Sequence, residues 1–447
     1  MVTGLNISSG KIYKHQARYY TIGMKNKVSH LTIASVGVAL AFNFAGLATD
    51  LPALAKKSAL SKSAAQVKPA APVWKASDSL ESRVDKVIDN SIGANNKIVG
   101  CVVIVARDGQ VVYRKAKGLA DREANTAMKE DVIFRLASMS KPITSAVCLA
   151  LVDKGKLKLD DAVSKYLPDF KPLGPDGEPV EITIKQLLTH TSGLTYNFLE
   201  DDNGPYHQAK VSDGLDQPGL SLDENLKRLA SCKLLFVPGA RFQYGLSTDV
   251  LGAVCQAAGE KSLPELAQEF VCEPLGMKDT GYFVKLSERA RVAKPYADGK
   301  DGGAPTAMGE RAVLQFPNAG HITFMPGRVF EKTSYASGGG GMVGTADDYY
   351  KFLSCLAAGG KPILSEATTK AMMSNQIEDL RVFGGPPWWG FGYGFAVRKD
   401  LPDAGTVTGV GTCKWGGAYG HSFYLDPSNK LIIIICTNTA FEGTLGA

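Results

Sequence analysis

Apolar residues form two strand-like pairs near opposite ends of the chain. The first pair, residues 102–105 and 111–113, flanks an Asp-Gly tight-turn signal. The second pair, residues 421–425 and 431–436, flanks the sequence Asp-Pro-Ser-Asn, which also favours a turn. Each pair therefore predicts an antiparallel hairpin.

Between the hairpins, apolar residues recur at intervals of three and four, which is the spacing of an amphipathic helix. Such stretches cover residues 143–157, 222–229, 248–258, 262–270 and 346–358. Strands at both ends with helices between them predict an α+β fold in the form of an α/β sandwich. We expect one antiparallel sheet, built from N- and C-terminal strands and flanked by helices, with a mostly helical lobe inserted at about residues 143–330.

The charge of the chain is distributed unevenly. The 447 residues carry a formal net charge of +6, from 50 Lys and Arg against 44 Asp and Glu. Residues 1–75 hold ten basic residues and one acidic residue, so the remainder has 40 basic and 43 acidic residues. That remainder shows no stripe of Lys and Arg with interleaved aromatics. The charge therefore does not indicate a nucleic-acid partner.

The basic N-terminal region has the pattern of an export signal. An apolar run at residues 31–48 is followed by Ala53 and Ala55, a small-x-small pattern, and then by two lysines. This order is typical of a secretory signal peptide, which we expect to cover residues 1–55, with Met24 as an alternative start.

Residues 56–77, rich in Ala, Lys, Ser and Pro, predict a disordered linker, and residues 78–447 predict the folded domain. The sequence thus favours an exported protein, periplasmic or secreted, without a stable membrane partner after signal cleavage. An N-terminal membrane anchor is the alternative, because the apolar run is near the lower length limit of about 17 residues for a membrane span.

Eight cysteines are scattered through the chain without C-x-x-C spacing, so they do not indicate a zinc site. Export would permit disulfides. Cys101 and Cys436 lie in strand-like runs near opposite ends of the chain and could meet in the sheet. For most of the eight cysteines, however, we expect buried free thiols.

Several common catalytic motifs are absent. The sequence has no G-x-S-x-G nucleophile elbow, no G-x-x-x-x-G-K-[ST] phosphate loop and no H-E-x-x-H zinc motif. A glycine run at residues 338–341 is not followed by lysine and predicts a close-packed turn. We therefore expect neither a metal nor a cofactor.

One motif with catalytic chemistry remains, the S-x-x-K at Ser138 and Lys141. It comes directly before Pro142 and an apolar helix, and proline is well suited to a first helical turn. A spacing of three places the hydroxyl and the amine on the same side of one turn. A serine hydroxyl is a weak nucleophile until a base accepts its proton, and a buried lysine amine can do so.

Two further segments accompany this motif. Tyr244 ends a P-G-x-x-F-x-Y run, and residues 414–421 read Lys-Trp-Gly-Gly-Ala-Tyr-Gly-His at the start of the last hairpin. In order and spacing, the three segments resemble the site motifs of the class C β-lactamase-like serine hydrolases. Supporting segments lie at residues 190–194, 273–277, 337–342 and 437–443. The resemblance covers about residues 78–447 and implies a catalytic domain with the fold of β-lactamases and penicillin-binding proteins.

The resemblance also implies roles for individual residues. Ser138 would be the acylated nucleophile, Lys141 its proton acceptor, and Tyr244 a partner in proton relay. The backbone N–H groups of Ser138 and Ala418 would form the oxyanion hole.

Two departures from the usual family pattern indicate the branch. Leu246 stands where the β-lactamases and D,D-peptidases usually have the asparagine of a Y-x-N motif. The usual K-T-G becomes either Lys414-Trp415-Gly416 or Trp415-Gly416-Gly417, and the second interpretation resembles the family VIII carboxylesterases. The prediction is a serine carboxylesterase for short-chain acyl esters. A β-lactamase or D,D-peptidase, an acyltransferase, and a catalytically silent penicillin-binding module are the alternatives.

Aromatic residues near these motifs predict an apolar acyl pocket. The substrate-binding candidates are Trp415, Gly416, Gly417, Tyr196 and Tyr419. Further aromatic candidates, of which only some are expected at the site, are Trp388, Trp389, Phe391 and Tyr393. The expected partner is a small ester, with β-lactams as a second substrate class.

Overall fold

The β-branched runs at the two ends of the chain lie side by side at the centre of one antiparallel sheet. Residues Val102 to Val105 pair with the four residues Cys436 to Ile433 on the neighbouring strand. The sheet has eight strands, and the last strand of the described chain lies beside the first in the middle of it. This arrangement confirms the predicted antiparallel sheet of N- and C-terminal strands.

The computed structural model describes residues 79–94, 97–299, 303–316, 320–401 and 407–442. The predicted signal peptide and linker lie outside these ranges. Within them, no helix combines the length and the apolar character that a membrane span requires.

Fourteen strands are present in the described ranges. The large sheet has the order β10-β11-β12-β13-β14-β1-β2-β3, and β4–β9, β5–β6 and β7–β8 form two-stranded sheets. The strands are β1 (Gly100–Arg107), β2 (Gln110–Asp121), β3 (Thr126–Ala127), β4 (Phe134–Arg135), β5 (Tyr296–Ala297), β6 (Thr306–Ala307), β7 (Ala312–Gln315), β8 (His321–Phe324), β9 (Val343–Gly344), β10 (Trp389–Phe391), β11 (Ala396–Arg398), β12 (Cys413–Gly417), β13 (His421–Asp426) and β14 (Leu431–Thr437).

The predicted helical stretches are all found as helices, with ends shifted by a few residues. The α-helices of the described ranges are α1 (Leu80–Asp89), α2 (Ser140–Asp153), α3 (Ile184–Leu188), α4 (Pro205–Gln208), α5 (Leu222–Ala230), α6 (Ser247–Gly259), α7 (Leu263–Ala267), α8 (Ala346–Ala357) and α9 (Glu366–Met372). The range predicted as a helical lobe, about residues 143–330, contains most of α2 and all of α3 to α7. It also contains the hairpins β5–β6 and β7–β8, which the helical periodicity did not predict.

The central strands are buried on both faces because helices cover the sheet from two sides. Val103 and Val105 of β1 pack in a cluster with Ile88 of α1, whereas Val102 and Ile104 belong to the main core that contains α2 and α8. Alternate residues of a strand point to opposite faces, so one strand serves both clusters. This explains why β1 appears as a continuous apolar run and not as an alternating one.

The same alternation corrects the idea that Cys101 and Cys436 could be joined. Their strands do pair, but Cys101 is opposite Thr437 and Cys436 is opposite Val102. The one-residue offset directs the two thiols to opposite faces of the sheet. All eight cysteines are free and buried, as expected for most of them.

Candidate active site

Ser138 lies in a short 3-10 turn, Ala137–Met139, that leads directly into α2. Pro142 falls in the first turn of α2, where its missing N–H leaves no hydrogen bond unmade. The residue before the serine, Ala137, has a φ of 45°, a left-handed conformation that costs energy for a residue with a Cβ. The half-buried serine is thus held at the positive end of a buried helix.

The structure brings Ser138, Lys141 and Tyr244 together. The Tyr244 hydroxyl is 2.6 Å from Ser138 Oγ, and Lys141 Nζ donates to Ser138 Oγ at 3.2 Å. Lys141 Nζ also donates to the Gly339 carbonyl at 2.7 Å and lies 4.6 Å from the centre of the Tyr244 ring. The predicted glycine turn therefore contributes a backbone acceptor for the lysine.

Lys141 is fully buried, with 0% of its surface exposed, and Tyr244 is 8% exposed. Burial and the charge of Lys141 lower the pKa of His190 well below its ordinary value, so this histidine is neutral. Burial raises the pKa of the neighbouring Tyr196 well above its ordinary value and keeps that phenol neutral. The two side chains form uncharged walls beside Lys141.

Tyr244 is positioned by a ladder of backbone hydrogen bonds between two loops. The Gln243 N–H donates to the His190 carbonyl at 2.8 Å, and the Leu246 N–H donates to the Thr195 carbonyl at 3.3 Å. A Cβ at Gly245 would lie 2.4 Å from the Leu194 carbonyl oxygen, so only glycine allows this approach. The segment at residues 190–194 therefore acts as a frame for the tyrosine.

Strand β12 packs against the turn that carries Ser138. A Cβ at Gly417 would lie 2.2 Å from the Leu136 carbonyl oxygen, so glycine is required at this close approach. The His421 ring donates from Nε2 to the Arg135 carbonyl at 2.8 Å, which fixes β13 to β4 beside the same turn. Burial lowers the pKa of His421 to about 4, so the ring stays neutral. Ala418 follows β12 directly and is carried by this junction.

The structure distinguishes between the two candidate alignments of the K-T-G position. The Trp415 ring lies 5.4 Å from the Tyr244 ring, whereas Lys414 extends to the Trp389 ring, with Nζ 3.9 Å from its centre. Adjacent strand residues point to opposite faces, so only one of the two can face Ser138. The geometry favours the alignment Trp415-Gly416-Gly417.

The aromatic candidates divide into two groups. Trp415, Tyr196 and Phe391 belong to a connected ring cluster around Tyr244. Tyr419 instead packs on Phe324, with ring centres 4.9 Å apart. Two other candidates also make contacts away from this cluster. The Trp389 ring lies under Lys414, and the Tyr393 hydroxyl donates a hydrogen bond to the side chain of Gln376.

Sequence reasoning missed three members of this neighbourhood. Phe242 lies 5.1 Å from Phe391, and Phe383 lies 5.5 Å from Tyr244 and is stacked with Trp415 at 6.1 Å. Asp249, on the first turns of α6, is a buried carboxylate near Lys141. Its position five residues after Tyr244 was the available signal, because a carboxylate in an otherwise apolar helix is unusual.

No group of three or more His, Cys, Asp or Glu side chains in the described part of the chain could hold a metal ion. The groups gathered around Ser138 are a hydroxyl, a phenol and an amine.

Comparisons with known proteins identify the family and the fold. The family model described as Beta-lactamase matches residues 84–446. Esterase EstB of Burkholderia gladioli is 44% identical over 371 residues, which are 82% of this chain and 93% of that protein. Lovastatin esterase of Penicillium rubens is 27% identical over 369 residues, covering 75% of this chain and 87% of that protein.

Among solved structures, EstCE1, described as a hydrolase with promiscuous acyltransferase activity, superposes with a TM-score of 0.76 at 38% identity. The match covers 81% of this chain and 94% of that one. A penicillin-binding protein homologue from Pyrococcus abyssi superposes with a TM-score of 0.60 at 24% identity, covering 80% of this chain and 73% of that one. At that identity the likeness shows the fold alone.

Proposed function

The chain belongs to the β-lactamase family, and we propose that its activity is that of a serine carboxylesterase on short-chain acyl esters. The observation that carries the proposal is the contact of Ser138 Oγ with both the Tyr244 hydroxyl and Lys141 Nζ inside a wall of aromatic rings. The 44% identity to Esterase EstB supports the same activity.

In the proposed mechanism Ser138 Oγ attacks the carbonyl carbon of the ester, while Lys141 and Tyr244 accept and relay the proton of the Ser138 hydroxyl. The backbone N–H groups of Ser138 and Ala418 stabilise the negative charge that develops on the carbonyl oxygen. Loss of the alcohol leaves an acyl-enzyme on Ser138. Attack by water on this intermediate, assisted by the same proton acceptor, releases the carboxylic acid.

The surroundings of Tyr244 favour an ester over an amide substrate. Leu246, at the position of the usual asparagine, is completely buried in the core. The side-chain amide of Gln243 is already bonded to the Thr195 hydroxyl at 3.0 Å and to the Tyr244 carbonyl at 3.3 Å. The rings of Trp415 and Phe383 offer apolar contact for an acyl chain, and no polar clamp for a peptide is available from these residues.

The decisive experiment is a rate panel of p-nitrophenyl acetate and butyrate, nitrocefin and a D-Ala-D-Ala peptide, with Ser138→Ala as the matched control. We expect rapid ester hydrolysis that the substitution abolishes, with an unchanged circular dichroism spectrum. Ester turnover that survives in Ser138→Ala would overturn the assignment. If nitrocefin or the peptide is turned over faster than the esters, the result would favour assignment as a β-lactamase or a D,D-peptidase.

We further propose that the enzyme acts outside the cytoplasm. The support is the basic start, the apolar run at residues 31–48 and the small-x-small pattern at Ala53 and Ala55. N-terminal sequencing of the protein recovered from cell fractions tests this. A mature N-terminus close to residue 56 in the exported fraction is expected, and an intact N-terminus in the cytoplasm would refute it.

A further inference from the structure

A small cavity lies beside the segment that leads into Ser138. Its walls include Arg135 of β4, Tyr419, His421 of β13 and Asn438. Its volume is about 10 Å³. This is the lower limit for one water molecule, which needs about 10–15 Å³. The cavity therefore has room for a single particle of this size and is too small to enclose a carboxylate or a phosphate group.

Arg135 brings a buried positive charge to this cavity. The residue is 8% exposed, and its Nε and Nη1 atoms donate to the carbonyls of Pro326 and Ala293 at 2.9 and 2.8 Å. Within the described residues no carboxylate forms an ion pair with this guanidinium, and burial lowers its pKa. A guanidinium keeps its charge inside a protein, so loss of a proton cannot relieve the burial. A buried charge is costly unless an opposite charge compensates it.

Arg328 is a second buried arginine, and its surroundings differ. It is 6% exposed and likewise donates to two backbone carbonyls, those of Asp216 and Tyr335. Arg328 also faces the carboxyl groups of Asp216 and Asp249, and its charge acts to lower the pKa of both. Two arginines with similar burial and similar backbone hydrogen bonds thus differ in their charge partners. The fold supplies carboxyl groups to Arg328 and supplies none to Arg135 among the residues described.

Tyr419 adds a hydroxyl donor to the walls of the cavity. Its ring centre is 5.9 Å from the guanidinium carbon of Arg135, and the residue is 6% exposed. Burial raises the pKa of Tyr419 to about 12 against the opposing effect of Arg135 and Arg328, so the phenol keeps its proton at neutral pH. In the part of the chain that the structure describes, neither the Tyr419 hydroxyl nor Arg135 Nη2 has a hydrogen-bond partner. Two unengaged donors therefore belong to residues that line one cavity.

We propose that this cavity binds one monoatomic anion, such as chloride, between the Arg135 guanidinium and the Tyr419 hydroxyl. The anion supplies the negative charge that the buried guanidinium lacks, which a water molecule does not, and hydrogen bonds to an ion are stronger than those between neutral groups. Arg135 comes three residues before Ser138, and Tyr419 directly follows Ala418. The ion thus joins the segment of the proposed nucleophile to that of the proposed oxyanion-hole residue.

The first test measures the melting temperature of the purified protein while sodium chloride replaces sodium gluconate at constant ionic strength. Gluconate has too many atoms to enter the cavity and serves as the matched salt. A ligand that binds the folded state stabilises it by mass action. We expect the melting temperature to rise by about 2 °C or more once chloride is far above its Kd. Equal melting temperatures in the two salts would overturn the proposal.

Tyr419→Phe and Tyr335→Phe form a matched pair of variants. Each ring lies over a buried arginine, Arg135 or Arg328, and each tyrosine is 6% exposed. Tyr419→Phe removes a donor to the anion and should weaken chloride binding by about tenfold or more, the range for a hydrogen bond to a charged group. Tyr335→Phe should respond to chloride as the wild type does. The same response in both variants contradicts the assignment of this site.

Crystals grown in sodium bromide locate the anion directly and do not depend on the folding of a variant. Bromide scatters X-rays anomalously, so we expect an anomalous difference peak within hydrogen-bond distance of Arg135 and Tyr419. A water molecule in the cavity, with anomalous peaks only elsewhere on the protein, would refute the proposal. Neither measurement involves ester turnover, so the outcome is independent of the proposed esterase function.

Discussion

Lys141 lies at the start of α2 and Lys414 in the middle of β12, and their side chains are 0% and 5% exposed. Around Lys141 the structure places the Ser138 hydroxyl, the Gly339 carbonyl and the Asp249 carboxylate. Around Lys414 it places the flat face of the Trp389 ring. Burial lowers the pKa of Lys414 to about 7.

The comparison teaches that burial alone does not give a lysine a chemical role. Both lysines belong to segments that the sequence marks as candidates, but the lysine within hydrogen-bond distance of the proposed nucleophile is Lys141. On β12 the side chain that packs against Tyr244 is that of Trp415, the neighbour of Lys414. The two lysines therefore offer a direct contrast between a lysine at the proposed reaction centre and a lysine packed in the sheet.

The largest effect should come from Lys141→Ala. Without the amine, Ser138 loses a hydrogen-bond donor and Tyr244 loses the nearby positive charge, so kcat should fall by more than about a hundredfold, the lower range for loss of acid–base catalysis. Steady-state hydrolysis of p-nitrophenyl butyrate measures the change, and a circular dichroism spectrum like that of the wild type excludes unfolding. A near-normal rate would remove Lys141 from the mechanism and end the contrast with Lys414.

An intermediate effect is expected from Phe383→Ala on the Trp415 side of β12. Phe383 is half-buried, has a left-handed φ of 53°, and packs against Tyr244 and Trp415. Its removal should widen the acyl pocket and raise kcat/KM for octanoate relative to acetate by about tenfold, the lower range for one additional methylene bound in an apolar pocket. A series of p-nitrophenyl esters measures this ratio, with the acetate rate as the internal control. An unchanged ratio would place the acyl chain elsewhere.

The smallest effect on catalysis should come from Lys414→Met, for which we expect kcat close to that of the wild type, because the Lys414 amine lies over the Trp389 ring. The contribution of Lys414 to the stability of the wild type depends on pH in a direction that its pKa fixes. The pKa of Lys414 is about 7 in the folded protein and 10.5 in its ordinary state. Between these values the unfolded chain binds more protons, so the free energy of unfolding of the wild type should rise with pH.

Urea unfolding at several pH values across this window tests the prediction. The Met variant should lack the part of the pH dependence that Lys414 contributes and should be at least as stable as the wild type near neutral pH, because a buried ammonium is replaced by an apolar chain of similar length. A strong loss of kcat in Lys414→Met would show that both lysines serve the reaction.

Much of the fold could be predicted because its signals are local. The β-branched runs of β1 and β14, the turn sequences beside them and the helical spacing of α2 and α6 depend only on neighbours within a few residues. The hairpins β5–β6 and β7–β8 escaped prediction because β5 and β6 have two residues each and β7 and β8 only four. Strands this short contain too few alternations to form a pattern.

The candidate site was predicted only in part. Ser138 and Lys141 share one helical turn, and Tyr244 ends a recognisable motif, so their assignment needed no knowledge of distant contacts. Asp249 lies only five residues beyond Tyr244, but its proximity to Lys141 arises where α2, α6 and the glycine turn meet. Phe383 reaches Tyr244 from a loop almost 140 residues further along the chain.

The sequence by itself predicted the two hairpins of the central sheet and five of the helices, the candidate serine with its lysine and tyrosine, and the branch indicated by Leu246 and the tryptophan of β12. Only the tertiary structure decided that Trp415 packs against Tyr244 while Lys414 lies over Trp389, that Cys101 and Cys436 point to opposite faces, and that Asp249 comes close to Lys141. The physical reason is that side chains alternate between the two faces of a strand and that distant core contacts fix which residue points to which face. A shift of one residue reverses the face to which a strand side chain points, and such a shift is fixed by pairing and by core contacts far away in the chain.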